Sequence, residues 1–114
     1  MTASLVETLR AIKETIGTPE KWTKGCYARD SSGEPTSIRF ASAVSFCIRG
    51  AVCRVNGPFE VAADNLIWET LRPQLPYLNN FAGVATWQDN PERKHPEVME
   101  LLDKAIEVAV SKEK

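Results

Sequence analysis

Residues 43–55 read AVSFCIRGAVCRV, and almost every one of them is apolar or small. At helical spacing Ala43, Cys47, Gly50 and Ala51 form one small-residue strip, with Val44, Ile48, Val52 and Val55 beside it. The polar side is narrow: Ser42, Ser45 and Arg49, with Asn56 a turn later. A helix that is apolar around most of its circumference has to be covered on several sides. The pattern therefore predicts a central helix that starts between Phe40 and Ala43 and ends at the Asn56-Gly57 pair. Gly50 inside that helix costs about 1 kcal/mol against alanine. A second element crossing close to the backbone beside Cys47 and Ala51 gives that cost a reason; a ligand approaching the same surface is the alternative.

The flanking segments supply the cover. Ser4 and Glu7 have capping-box spacing, and Leu5, Leu9, Ile12 and Ile16 mark one apolar face. A first helix is expected from about Leu5 to Ile16, closed by Gly17 at the C-cap and Pro19 beyond it. Thr18-Pro19-Glu20 reads as a short turn with Thr18 as N-cap. Lys24 to Arg29 fits a short strand, Asp30-Ser-Ser-Gly33 a turn, and Thr36 to Phe40 a strand pairing back on the first. Such a ribbon is only marginally stable alone and has to lean on the helices.

After Pro58, the residues Phe59, Ala62, Leu66, Ile67 and Leu71 make the face of a third helix that Pro73 stops, with Trp68 half-buried on its flank. Gln74 to Asn80 is a connection, and Phe81 to Trp87 fits a brief helix or an extended segment equally well. A last helix is expected over about Pro96 to Val110, with Val98, Leu101, Leu102, Ala105 and Ala109 as its stripe. Glu100 and Lys104 form an i,i+4 pair on it, and the SKEK tail should fray.

The chain has 114 residues, 43% of them hydrophobic and 25% charged, which fits one soluble domain over residues 1–114 with its ordered core over about 4–110. A formal net charge of -1 gives no long-range field toward nucleic acid or an anionic membrane. There is no apolar run long enough to span a bilayer, and the charged N-terminus lacks a signal-peptide core, so a cytoplasmic setting is expected. Three cysteines, Cys26, Cys47 and Cys53, have no C-x-x-C spacing, and Cys47 and Cys53 read as two reduced thiols packed as small core hydrophobes.

Candidate chemistry falls in two loops, one with Trp22, Lys24, Arg29 and Asp30, the other with Trp87, Asp89, Asn90, Arg93 and His95. Tryptophans beside charged and amide groups form binding surfaces, and they also serve as lids on a small core. A Cys47–His95–Asp89 triad can be written, but Cys47 lies in the most apolar stretch, where a thiolate is disfavoured, and His95 sits at a helix start as an ordinary polar cap. One histidine and no Cys or carboxylate cluster leave no recognisable zinc set, and no phosphate-binding loop or dinucleotide motif is present, so no metal or cofactor is expected. A basic strip of Lys21, Lys24, Arg29 and Arg39, with Trp22 or Tyr27 to stack on a base, is interrupted by Glu20, Asp30 and Glu34.

The order Trp22-x-x-Gly25, Ala28-x-Asp30-x-x-Gly33, Ala43-x-x-Phe46-Cys47-x-x-Gly50-Ala51 and Trp87-x-Asp89, leading into Val98, Leu101, Leu102 and Ala105, resembles a family of small uncharacterised bacterial and phage proteins. The resemblance spans about Leu5 to Ala109; where the family often has Trp-Asn-Asp, this chain has Trp87-Gln88-Asp89. It implies a compact helix-rich fold, a cytoplasmic setting and an origin in a phage or mobile element, and it carries no activity.

These readings converge on a mainly α single domain of about four helices around a buried central one, with a small β-ribbon over Lys24 to Ile38. The function they favour is a non-enzymatic binding or regulatory module for another protein, with Trp22, Arg29, Trp87, Asp89 and Asn90 as its surface. That surface requires the two loops to be neighbours, as they would be if the first and last helices pack side by side over the central one. The alternatives are a small enzyme or small-molecule binder with a pocket near Cys47 and the Trp87 loop, and a nucleic-acid-binding accessory protein. A homodimer through the flank of the third helix around Trp68 stays open.

Overall fold

The computed structural model describes residues 4–55, 57–74 and 82–112. Within them lie α1 (Leu5–Thr15), β1 (Ala28–Arg29), β2 (Ser45–Phe46), α2 (Ile48–Val55), α3 (Glu60–Leu71), α4 (Ala82–Asp89) and α5 (His95–Lys112). The protein is thus mainly helical, with one small antiparallel ribbon.

The Ser4 side chain caps α1 by accepting the Glu7 amide at 3.1 Å. Val6, Thr8, Leu9 and Ile12 are buried along the helix and Ile16 just past its end. Val6 takes the position expected of Leu5, which is only half-buried. Gly17 does not adopt the left-handed cap; positive φ among the described glycines is confined to Gly25 and Gly33. Instead the Gly17 amide closes the last turn onto the Glu14 carbonyl at 3.1 Å.

The expected central helix is shorter than its apolar pattern, beginning at Ile48 rather than between Phe40 and Ala43. Residues 43–47 are drawn into the ribbon. Ala28 pairs with Phe46 and Arg29 with Ser45. The Cys47 amide donates to the Tyr27 carbonyl at 3.2 Å, and the Thr23 amide donates to Phe46 from the other side at 3.0 Å. The second strand is therefore Ser45–Phe46 and not Thr36–Phe40, which forms turns and meets β1 at its start, where Pro35 is bridged to Arg29 and the Thr36 amide donates to the Ala28 carbonyl. The physical reason is that a run of small and β-branched residues fits either period, and cross-strand pairing of Phe46 decides it. Phe46 is buried and lies beneath the Arg54 guanidinium, 5.3 Å from the ring centre.

From Ile48 onward the helical expectation stands. Ile48, Gly50, Ala51 and Val52 are buried, and α2 packs on α1, α3 and α4. Gly50 lies directly on the backbone of Tyr27, where a Cβ would fall on the Tyr27 carbonyl. Asn56, expected as the C-cap, lies outside the described residues, as do Pro76, the Asn79-Asn80 pair and Phe81.

Ala63, Leu66, Ile67 and Leu71 form the buried face of α3, so Ala63 replaces the expected Ala62, which is exposed. One 3-10 turn at Arg72–Gln74 follows it around Pro73. The ambiguous Phe81–Trp87 stretch resolves into a helix over Ala82–Asp89. On α5 all five expected residues are buried. That helix starts at His95 because Glu97 accepts the Lys94 amide at 2.9 Å, and it runs to Lys112, so Ser111 and Lys112 of the tail are helical. α5 packs chiefly on α1 and α3, which places the first and last helices side by side.

The Gly50 contact is directly testable. Helix propensity alone predicts that Gly50→Ala gains about 1 kcal/mol. Overlap with the Tyr27 carbonyl should reverse the sign, and urea denaturation should read a loss of roughly 1–3 kcal/mol. A variant as stable as the parent would mean that the two backbones do not meet.

Candidate functional site

The two tryptophan-bearing segments do meet, and the residue that joins them is Gln88. Val84, Trp87 and Gln88 share one face of α4 and are all buried. The Gln88 side chain, 3% exposed, carries both halves of its amide into hydrogen bonds. Its Oε1 accepts the Ile48 amide at 2.7 Å and the Trp22 indole N–H at 3.2 Å. Its Nε2 donates to Asp89 Oδ1 at 2.7 Å, and the same carboxylate oxygen accepts the Gly25 amide at 3.2 Å. One side chain thus links α4, the amino end of α2 and the 22–25 segment. Lys24 adds a strap, its Nζ donating to the carbonyls of Asn90 at 2.7 Å and Arg93 at 2.9 Å while lying over the Trp22 ring.

The five expected surface residues divide by role. Trp22 is half-buried, held by Gln88 and tilted against the His95 ring with centroids 6.1 Å apart. Asp89 and Asn90 are exposed at the carboxyl end of α4, with Asn90 Oδ1 accepting the Glu92 amide at 2.9 Å. Trp87 belongs to the core, 7% exposed, beneath an Arg93 guanidinium 4.0 Å from its ring centre. Arg29 is turned onto its own loop: Nε donates to Thr23 Oγ1 at 2.8 Å, and the two terminal nitrogens donate to the carbonyls of Gly33 at 2.9 Å and Lys24 at 3.0 Å.

Gln88 is the residue that polarity in a loop did not single out. Its signal was its place in the sequence, an amide at i+4 from Val84 and i+1 from Trp87, inside an apolar stripe. A buried amide in that position must find partners for both its oxygen and its nitrogen.

Cys47, weighed from the sequence as a triad nucleophile and as a small core hydrophobe, takes a further role in the structure. It precedes α2, its carbonyl accepts the Ala51 amide at 2.8 Å, and its Sγ accepts the Gly50 amide at 3.2 Å. The thiol acts as an N-cap. Burial pushes its pKa up, and the Gly50 and Arg49 amides that favour a thiolate only partly offset this. His95 Nε2 lies 2.7 Å from the Ile16 carbonyl, where its N–H donates, so the ring ties α5 to the end of α1. The Cys47–His95–Asp89 arrangement is therefore a cap, a tie and a loop anchor.

Beyond the Arg93–Trp87 stack lies an open groove of about 290 Å³ lined by Trp87, Arg93, Glu97, Glu100, Leu101 and Lys104. Its charges are paired along α5, Arg93 with Glu97 at 2.8 Å and Lys104 with Glu100 at 3.3 Å. Cys47 is not among its lining residues. No group of His, Cys, Asp and Glu able to hold a metal ion exists among the described residues. No helix among them is long and apolar enough to cross a membrane.

Residues 1–108 match the family described as Family of unknown function (DUF6197), and the chain belongs to that family. The chain matches no curated protein and no solved structure.

Removing the joining amide should be felt at Ile48 and at Trp22. Gln88→Ala leaves the Ile48 amide without a partner, at a cost of about 1–3 kcal/mol for that group. The Trp22 indole N–H resonance should shift and the Ile48 amide should exchange faster with solvent; an unmoved indole resonance would refute the junction. The thiol offers an independent check. The native state holds the Cys47 proton to higher pH than the unfolded chain does. Its contribution is complete below about pH 8.5 and is lost as pH rises through the native pKa. Cys47→Ser keeps a capping oxygen, so its stability should decline less than the parent's above that pH, and iodoacetamide should spare Cys47 in the folded parent. Rapid alkylation of native Cys47 would contradict its assignment as a buried cap.

Proposed function

We propose, with membership of a family of unknown function as the premise, that this chain is a small non-enzymatic binding module. It docks another protein through the junction of its 22–25 and 87–93 segments, in the cytoplasm of a bacterium or of a phage-infected one. The observation that supports this reading is the direct linkage of those segments through Gln88, Asp89 and Lys24. Exposed Asp89 and Asn90 and the half-buried Trp22 edge are thereby held on a frame tied to the core. A surface whose side chains are already fixed loses less rotamer entropy when a partner binds.

Catalysis has less support. Cys47 is buried and held toward its protonated form, and the His95 ring is spent on a backbone carbonyl. Nucleic-acid binding has less support too, because Lys24 and Arg29 direct their donors at backbone carbonyls. The groove beside α5 lies near the lower end of the size range for small-ligand pockets, and its charges neutralise one another.

Affinity capture from a bacterial host, read by mass spectrometry, tests the surface. Trp22→Ala and Trp87→Ala are poor probes, since one breaks the Gln88 link and the other opens the core. Asn90→Arg changes an exposed side chain, with Val61→Lys on α3 as an exposed control. Val61→Lys should melt like the parent, and Asn90→Arg, which gives up the exposed acceptor of the Glu92 amide, should lose only about 1 kcal/mol and stay folded. Asn90→Arg should lose at least ten-fold of the parent's specific partner, and Val61→Lys should keep it. Retention by Asn90→Arg together with loss by Val61→Lys would move the binding surface to α3.

A further inference from the structure

We draw no further inference here: the strongest candidate, the exposed apolar patch of Phe40 and Val44 on the loop that leads into β2 beside Arg54, carries nothing because nothing in the structure shows what covers it.

Discussion

The amino end of α2 is the constraint around which the rest of the structure is arranged. A helix begins with amides that have no partner inside the helix. Here those amides are buried, because Gly50 brings the helix onto the Tyr27 backbone and water is excluded from the contact. Each buried amide left without an acceptor costs about 1–3 kcal/mol, so acceptors must come from side chains. Cys47 supplies one from the helix's own preceding residue and Gln88 supplies another from α4. The second is why α4 sits where it does. Once the Gln88 oxygen faces Ile48, its remaining lone pair and its NH2 group point at Trp22 and Asp89, and the two tryptophan segments are drawn together.

That dependence explains which features were legible in the chain. The stripes of α1, α3 and α5 could be read because each buries one face at a single helical period; Leu5 gave way to its neighbour Val6 and Ala62 to Ala63, and Phe59, expected on the α3 face, is half-buried at the helix N-cap. The close crossing at Gly50 was legible for a different reason: a glycine within an apolar helical pattern is costly unless backbone must approach there. The start of α2 was not legible. Ala43 to Cys47 satisfies the helical strip, and nothing local says that Phe46 will be bracketed by Ala28 on one side and by the Trp22–Thr23 backbone on the other. Pairing between residues so far apart in sequence lies beyond any local period.

The candidate surface was legible in part, and the reason is instructive about polar residues. Trp22, Arg29, Asp89 and Asn90 stand out by type, and the structure brings all four close to the same junction. Arg29 nonetheless faces inward on its loop: its planar guanidinium has donors enough to hold three separate acceptors of the 23–33 loop at once. A loop with few apolar side chains has no core of its own, and an arginine that gathers carbonyls is a substitute for one. Residue type identifies groups able to bind; only geometry tells whether their capacity is already used.

The same accounting separates a capping thiol from a reactive one. Placing a cysteine at a helix amino end usually lowers its pKa, because amides and the helix dipole favour the anion. At Cys47 the amides of Gly50 and Arg49 do act in that direction, yet burial acts against them more strongly and the negative charge of Asp89 adds to the upward shift. A thiolate there would also need water at the amino end of α2, where Gly50 lies on the Tyr27 backbone and Gln88 holds the Ile48 amide. Reactivity at this position is therefore opposed by the contacts that set the fold. Asp89 and Asn90 on the outer rim of the junction are exposed, and a contact made there would leave the buried amides undisturbed.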